Sequence, residues 1–172
     1  MTKSESLNMK FAIGDKVVHP KHGVGMVAGV EEKQFKPSAA RMYYVVSIPD
    51  TTLWVPVDLQ SSGLRKLSLK SELDECRRIL QDTPQELTAG RELMSSLSGR
   101  INQGKILTQC EVVRDLTAFS WKKPLYGPLA DFQRMTMNVL CQEWAEVDGM
   151  TQAEATHEIN GLLKKGKASS KL

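Results

Sequence analysis

At 172 residues, with 41% hydrophobic and 25% charged residues, the chain has the balance of an ordinary folded protein, not of a disordered tail. It contains no run of about 18 apolar residues, and its first ten residues lack an apolar h-region, so neither a membrane span nor a signal peptide is expected. The formal net charge is +3, split as net +4 over residues 1–70 and net −1 over residues 71–172. A polyanion-binding surface in the second half must therefore come from local clustering.

Residues 1–10 are polar and are expected to form a flexible N-terminus. From Phe11 the texture is β. Short runs rich in β-branched and aromatic residues lie at Lys16–His19, Gly25–Val30, Met42–Ile48 and Leu53–Val57. Turn formers separate them at Gly14-Asp15, Pro20 to Gly23, Lys36 to Ser38 and Pro49 to Thr51. Four or five strands at this spacing predict a small antiparallel barrel, with Pro56 suited to an edge position or a strand end. Pro20 fixes one bend, and Gly23 and Gly25 permit positive φ or close backbone approach.

The texture changes to helix near residues 66–71. Ser71 is a candidate cap for a helix burying Leu73, Cys76, Ile79 and Leu80. Thr83-Pro84-Gln85-Glu86 reads as a capping box with Pro at the first helical position, followed by Leu87, Leu93, Met94, Leu97 and Ile101. After Gly104, the residues Ile106, Cys110, Val113 and Leu116 share one helix face. Ser120 to Pro128 reads as a connection, marked by Pro124, Gly127 and Pro128. A long helix is predicted over about Leu129–Val147, burying Phe132, Met135, Val139, Leu140 and Trp144. Thr151-Gln152-Ala153-Glu154 is a second capping box, opening a last helix through Ile159, Leu162 and Leu163. Residues 166–172 read as a disordered basic tail.

Little here suggests catalysis or a bound cofactor. Cys76, Cys110 and Cys141 lie more than thirty residues apart, without the close pairs that mark metal sites, and read as small buried hydrophobes in a reducing compartment. His19 and His22 have no carboxylate or cysteine at matching spacing. There is no G-x₄-G-K-[ST] phosphate loop and no nucleophile–base pair, so no enzyme, cofactor or metal is expected.

The stretch from Phe11 to Val27, FAIGDKVVHPKHGVGMV, resembles the signature of the CarD/CdnL/TRCF polymerase-interacting domain. The similarity continues through Tyr43-Tyr44-Val45-Val46, Trp54-Val55-Pro56-Val57 and Gly63-Leu64-Arg65. It resumes at Glu111 to Leu116, EVVRDL, which is similar to a helix of full-length CarD/CdnL proteins. The resemblance covers about residues 11 to 145. It implies an α+β, two-domain chain: a small Tudor-like antiparallel β-barrel at 11–68, then an all-α helical, DNA-facing domain at 71–165.

By the same resemblance the partner is the RNA polymerase β subunit, bound at its lobe by strand addition through Val30–Lys33 and Leu53–Val57. The implied polymerase-binding residues are Lys33, Leu53, Trp54, Val55 and Pro56. The second implied partner is promoter DNA at the upstream edge of the bubble, where relatives insert a Trp wedge. The wedge position falls at Gly90. Basic residues are sparse beside it, leaving Arg91 there and Trp121-Lys122-Lys123 as the replacement surface. Arg77, Arg78, Arg100, Lys105 and Arg114 are further phosphate-contact candidates. The expected function is cytoplasmic transcription regulation, nucleoid-associated through polymerase, by modulation of open-complex stability. The alternative is a polymerase-binding adaptor without productive DNA contact. A monomer is favoured, although a hydrophobic barrel edge also permits pairing with a second copy.

Overall fold

In the computed structural model, which describes residues 9–37, 39–58 and 63–169, an antiparallel sheet is followed by five helices. The expected N-terminal segment 1–8 and tail residues 170–172 lie outside the described residues. The strands are β1 (Lys16–His19), β2 (Gly23–Lys36), β3 (Ala39–Ile48), β4 (Thr51–Pro56) and β5 (Arg65–Lys66), in the spatial order β4-β3-β2-β1-β5. Alternation sends one face of every long strand inward. Val17, Val27, Tyr44, Val46 and Val55 meet Phe11 and Leu64 in one buried cluster. Phe11 closes the cluster edge-to-face on Tyr44, at 5.3 Å between ring centroids. The predicted Gly14-Asp15 turn forms as its residues suggest, with Ala12 N–H donating to Asp15 Oδ2 at 2.9 Å and Gly14 N–H to Val27 O at 2.8 Å. Among the described residues β4 and β5 do not pair with each other, so in place of the expected closed barrel there is a five-stranded antiparallel sheet with a buried cluster on its inward face.

The helices are α1 (Lys70–Gln81), α2 (Leu93–Ile101), α3 (Ile106–Lys122), α4 (Gly127–Asp148) and α5 (Gln152–Ser169). One core gathers Leu73, Cys76, Leu80, Ile106, Cys110, Leu140, Trp144 and Ile159. A second forms under α2 from Leu97, Ile101, Val112, Leu116 and Phe132. The three cysteines are buried and free. Burial pushes the Cys110 thiol well up, so it stays protonated as a packing group.

Several predicted boundaries move. Helix α1 begins after Leu69, whose N–H donates to Glu72 Oε1, so Ser71 is not its cap. The Thr83–Glu86 box does not open a helix: residues 83–89 are irregular and α2 starts only at Leu93. The reason is tertiary. Gln85 N–H donates to the buried Asp115 Oδ1 at 2.9 Å instead of entering a helix, while Leu87 packs against the second core. Trp121 and Lys122 belong to the last turn of α3, not to a loop. The second box does form, with Thr151 N–H donating to Glu154 Oε2 and Glu154 N–H to Thr151 Oγ1. Helix α5 runs past Gly166 to Ser169, and Gly166 is buried against the carbonyls of Leu80 and Gln81.

Sheet and helices meet across a polar joint. Arg65 of β5 donates in parallel to Glu143 of α4, Nη1 to Oε2 at 2.6 Å and Nη2 to Oε1 at 2.5 Å. The Glu143 side chain is 0% exposed and that of Arg65 11%. Ser68 adds its N–H at 3.0 Å and its hydroxyl at 2.7 Å to the same carboxylate. Gln109 of α3 accepts from Arg65 and donates to Thr136 O. The Pro20–Gly23 turn packs here too. Gly23 has φ +87°, and a Cβ on it would lie 1.9 Å from Gln142 Oε1, so that side chain would have to swing away. Gly63, at φ +73°, leaves room for the Pro20 ring, which an added Cβ would meet at 2.8 Å.

Glu143→Ala strands the Arg65 guanidinium in the joint, and an expected cost of about 3–5 kcal/mol should appear as a lower urea midpoint. A loss below about 1 kcal/mol would place the pair with solvated surface bridges. His19 gives a pH signature. Partial burial, then His22 and Lys21, lower its pKa from 6.5 to about 4. The folded value lies below the unfolded one, so its contribution is present above pH 6.5 and lost as pH falls from there towards about 4. His19→Ala should flatten the decline in stability over that interval.

Candidate interaction surfaces

Two surfaces collect the residues left outside the cores. The first is the outer face and free edge of the sheet. Outward positions of β2, β3 and β4 bring together Lys33, Phe35, Tyr43 and Trp54. Lys33 Nζ sits 4.9 Å from the centroid of the Trp54 ring, and Phe35 stands edge-on to both Tyr43 and Trp54 at 5.1 and 6.4 Å. Trp54 is 39% exposed and Phe35 61%. The tryptophan is therefore a surface residue braced by a cation and a second ring, not part of the sheet core.

Among the described residues, the strand that carries Trp54 is the sheet's edge. Val57 N–H donates inward to Met42 O at 3.0 Å, continuing the β3–β4 register. By the alternation of an antiparallel ladder, Thr52, Trp54 and Pro56 then direct their backbone groups away from β3. Pro56 has no N–H to lose there, which explains a proline in a paired strand. Of the five residues expected on this surface, Lys33, Trp54 and Pro56 face outward. Leu53 and Val55 turn their side chains into the sheet core, Val55 fully. Phe35 and Tyr43 are the additions that the sequence reading missed. Their signal was the same outward parity as Trp54 on neighbouring strands.

The second surface runs along the end of α3. A groove of about 670 Å³ is lined by Pro84, Leu87 and Phe119 with Trp121, Lys122, Lys123 and Lys167. Lys167 Nζ lies 4.8 Å from the centroid of the Trp121 ring, bringing a residue of the expected tail onto the expected site. Glu86 stands 3.7 Å from Lys122. A second groove of about 280 Å³ shares Phe119 and Lys123 with the first and adds Gly90, Arg91 and Tyr126. All four predicted residues, Arg91, Trp121, Lys122 and Lys123, thus border two adjacent grooves that share Phe119 and Lys123. Tyr126, 78% exposed, lines the second groove together with Gly90, which has no side chain. Its setting between Pro124 and Pro128 signals only a connection in the sequence.

The other arginine candidates are committed elsewhere. Arg114, buried, donates to Asp115 and to Ile79 O. Arg100 pairs with Glu111 at 3.2 Å and approaches Asp115 at 3.7 Å. Arg77 binds Asp74, Asp148 and Glu158 and lies over the Trp144 ring, while Arg78 pairs with Glu75 along α1. Lys105 is exposed before α3. The Arg114-Asp115 pair therefore ties the end of α1 and the 82–92 connection to α3. Among the described residues no group of three or more His, Cys, Asp or Glu is placed to hold a metal, and no helix is long and apolar enough to cross a membrane.

The CarD-like/TRCF RID domain family model matches residues 11–68, ending at the serine that completes the Glu143 bonds. Over 148 residues, spanning 84% of this chain and 96% of the relative, the chain is 28% identical to a Bacillus subtilis (strain 168) protein named "Putative transcription factor YdeB". The sheet with its free β4 edge coincides with the matched domain, and the similarity to the relative extends across both parts of the fold. The first part of the chain, residues 11–68, is thus similar to the CarD-like/TRCF RID domain family.

Proposed function

We propose that this protein is a transcription regulator that binds the RNA polymerase β-subunit lobe through the β4 edge and acts on promoter open complexes through the grooves at the end of α3. The observation that carries the reading is the free strand edge bearing an exposed, cation-braced Trp54 within the matched RID domain. Strand addition suits such an edge: Thr52 and Trp54 supply main-chain bonds, and the Lys33–Trp54–Phe35–Tyr43 face supplies side-chain selectivity. A large aromatic at the centre of an interface is a common anchor.

The DNA side of the reading rests on the two adjacent grooves. Trp121 and Tyr126 offer stacking faces, and Arg91, Lys122, Lys123 and Lys167 offer charge for phosphates. Since Gly90 supplies no ring, these two aromatics take the role of the missing wedge. The residues 71–172 carry net −1, and that favours the adaptor as the second reading. The adaptor would bind polymerase with no productive hold on DNA.

Binding to the isolated β lobe and lifetime of open complexes on a fork-junction promoter separate these readings. Trp54→Ala and Lys33→Glu are expected to abolish lobe binding while the unfolding midpoint stays near that of the parent. Undiminished affinity would place the interface on other strands. Trp121→Ala and Tyr126→Ala should leave lobe binding intact and remove the effect on open-complex lifetime. A parent protein that binds the lobe yet leaves open complexes unchanged would establish the adaptor instead.

A further inference from the structure

We propose that Arg65 and Glu143 are positioning residues, locking sheet and helices into one rigid body so that the β4 edge and the α3 grooves stand at a fixed separation. The regulatory consequence rests on the function proposed above; the lock itself does not.

Three observations point the same way. The first is the pair. Glu143 lies on the sheet-facing side of α4, fully buried, and its two oxygens take four hydrogen bonds, two from Arg65 and two from Ser68. Burying two charges is an expensive way to join two surfaces, and apolar residues of similar volume often hold as well. A bidentate ion pair differs in being directional: it is satisfied in one relative placement of guanidinium and carboxylate and penalised in others. The second observation is the covalent connection. Only Leu67 to Leu69 separate β5 from α1, and this link is tethered on both sides. Leu67 N–H donates to Lys16 O in the sheet at 3.1 Å, and Ser68 N–H donates to Glu143 in α4. No residue of the link is left with slack to act as a hinge. The third is the close seating of the Pro20–Gly23 turn. Gln142, next to Glu143 on α4, accepts from Val24 N–H at 3.4 Å across a gap that only glycine at position 23 leaves open. Lys16 and Glu146 add an exposed pair along the same seam. That pair contributes little by itself, so the directional hold falls to Arg65 and Glu143.

The test is an Arg65→Met/Glu143→Met double variant, which removes the directional bonds without leaving one charge stranded. Backbone ¹⁵N relaxation on the full chain reads the lock directly. The parent is expected to show one rotational correlation time for amides of the sheet and of the helices. The double variant should show two, with the core chemical shifts of each part retained. On polymerase, the variant should bind the β lobe as the parent does and lose the effect on open-complex lifetime. Two correlation times in the parent, or one in the variant, would overturn the lock. Independent tumbling with an undiminished effect on open complexes would overturn the positioning role. If the parent leaves open complexes unchanged, the regulator reading and the positioning role fail together, while relaxation still decides the lock. Should the double variant not fold, Arg65→Lys serves in its place, since it keeps the charge and loses the parallel two-bond fork. Two correlation times are expected for it, and a single one would overturn the lock.

Discussion

The arrangement of this molecule depends on one carboxylate taken out of water. Glu143 is unexposed, and such a group is tolerable only when its lone pairs are used. Arg65 and Ser68, separated by two residues in sequence, both reach it, so the end of the sheet must come up against α4 at that level. Much of the surrounding geometry follows. The turn between β1 and β2 has to be slim enough to lie on Gln142, Gly63 has to clear Pro20, and Gln109 has to bring α3 alongside. The G-V-G run after His22 therefore shapes the contact between sheet and helices as well as the sheet's own turn.

The two kinds of cation have separate employment. Four arginines are drawn inward, where a planar fork can satisfy several acceptors: Arg65, Arg77, Arg100 and Arg114 each bridge segments apart in sequence. Lysines stay at the rim, where a hydrated ammonium can sit over a ring or near a phosphate. Lys33 covers Trp54, Lys167 covers Trp121, and Lys122 and Lys123 edge the same groove. A near-neutral helical half can thus carry a cationic depression, because much of the acidic charge of that half is already matched to arginine inside the fold.

Strands and the later helices were legible because their signals are local. Alternation between turn formers marked β1 and β3, and Thr151 with Glu154 marked the start of α5. The Thr83–Glu86 box carried an equally good local signal and failed, because Asp115, thirty residues on, holds the Gln85 N–H. Pro124 and Gly127 predict an early stop that leaves Trp121 in a loop, yet α3 continues through Lys122. The joint left no trace in the sequence. Arg65 and Glu143 are 78 positions apart, and each alone looks like a solvated charge on its element. Among the surface residues, Trp54 was visible through the family resemblance. Phe35 and Tyr126 were not, since an exposed ring has the same composition as a buried one.

The proline at the free edge has a further consequence. A strand laid along β4 finds complete backbone groups at Thr52 and Trp54, and then a carbonyl with no matching N–H at Pro56. The ladder is thus short by construction, with a missing rung that ends it. An added segment can zip along only a few residues before its bonds run out, so the edge accepts a brief, side-chain-selected guest and discourages the open-ended stacking to which bare strand edges are prone.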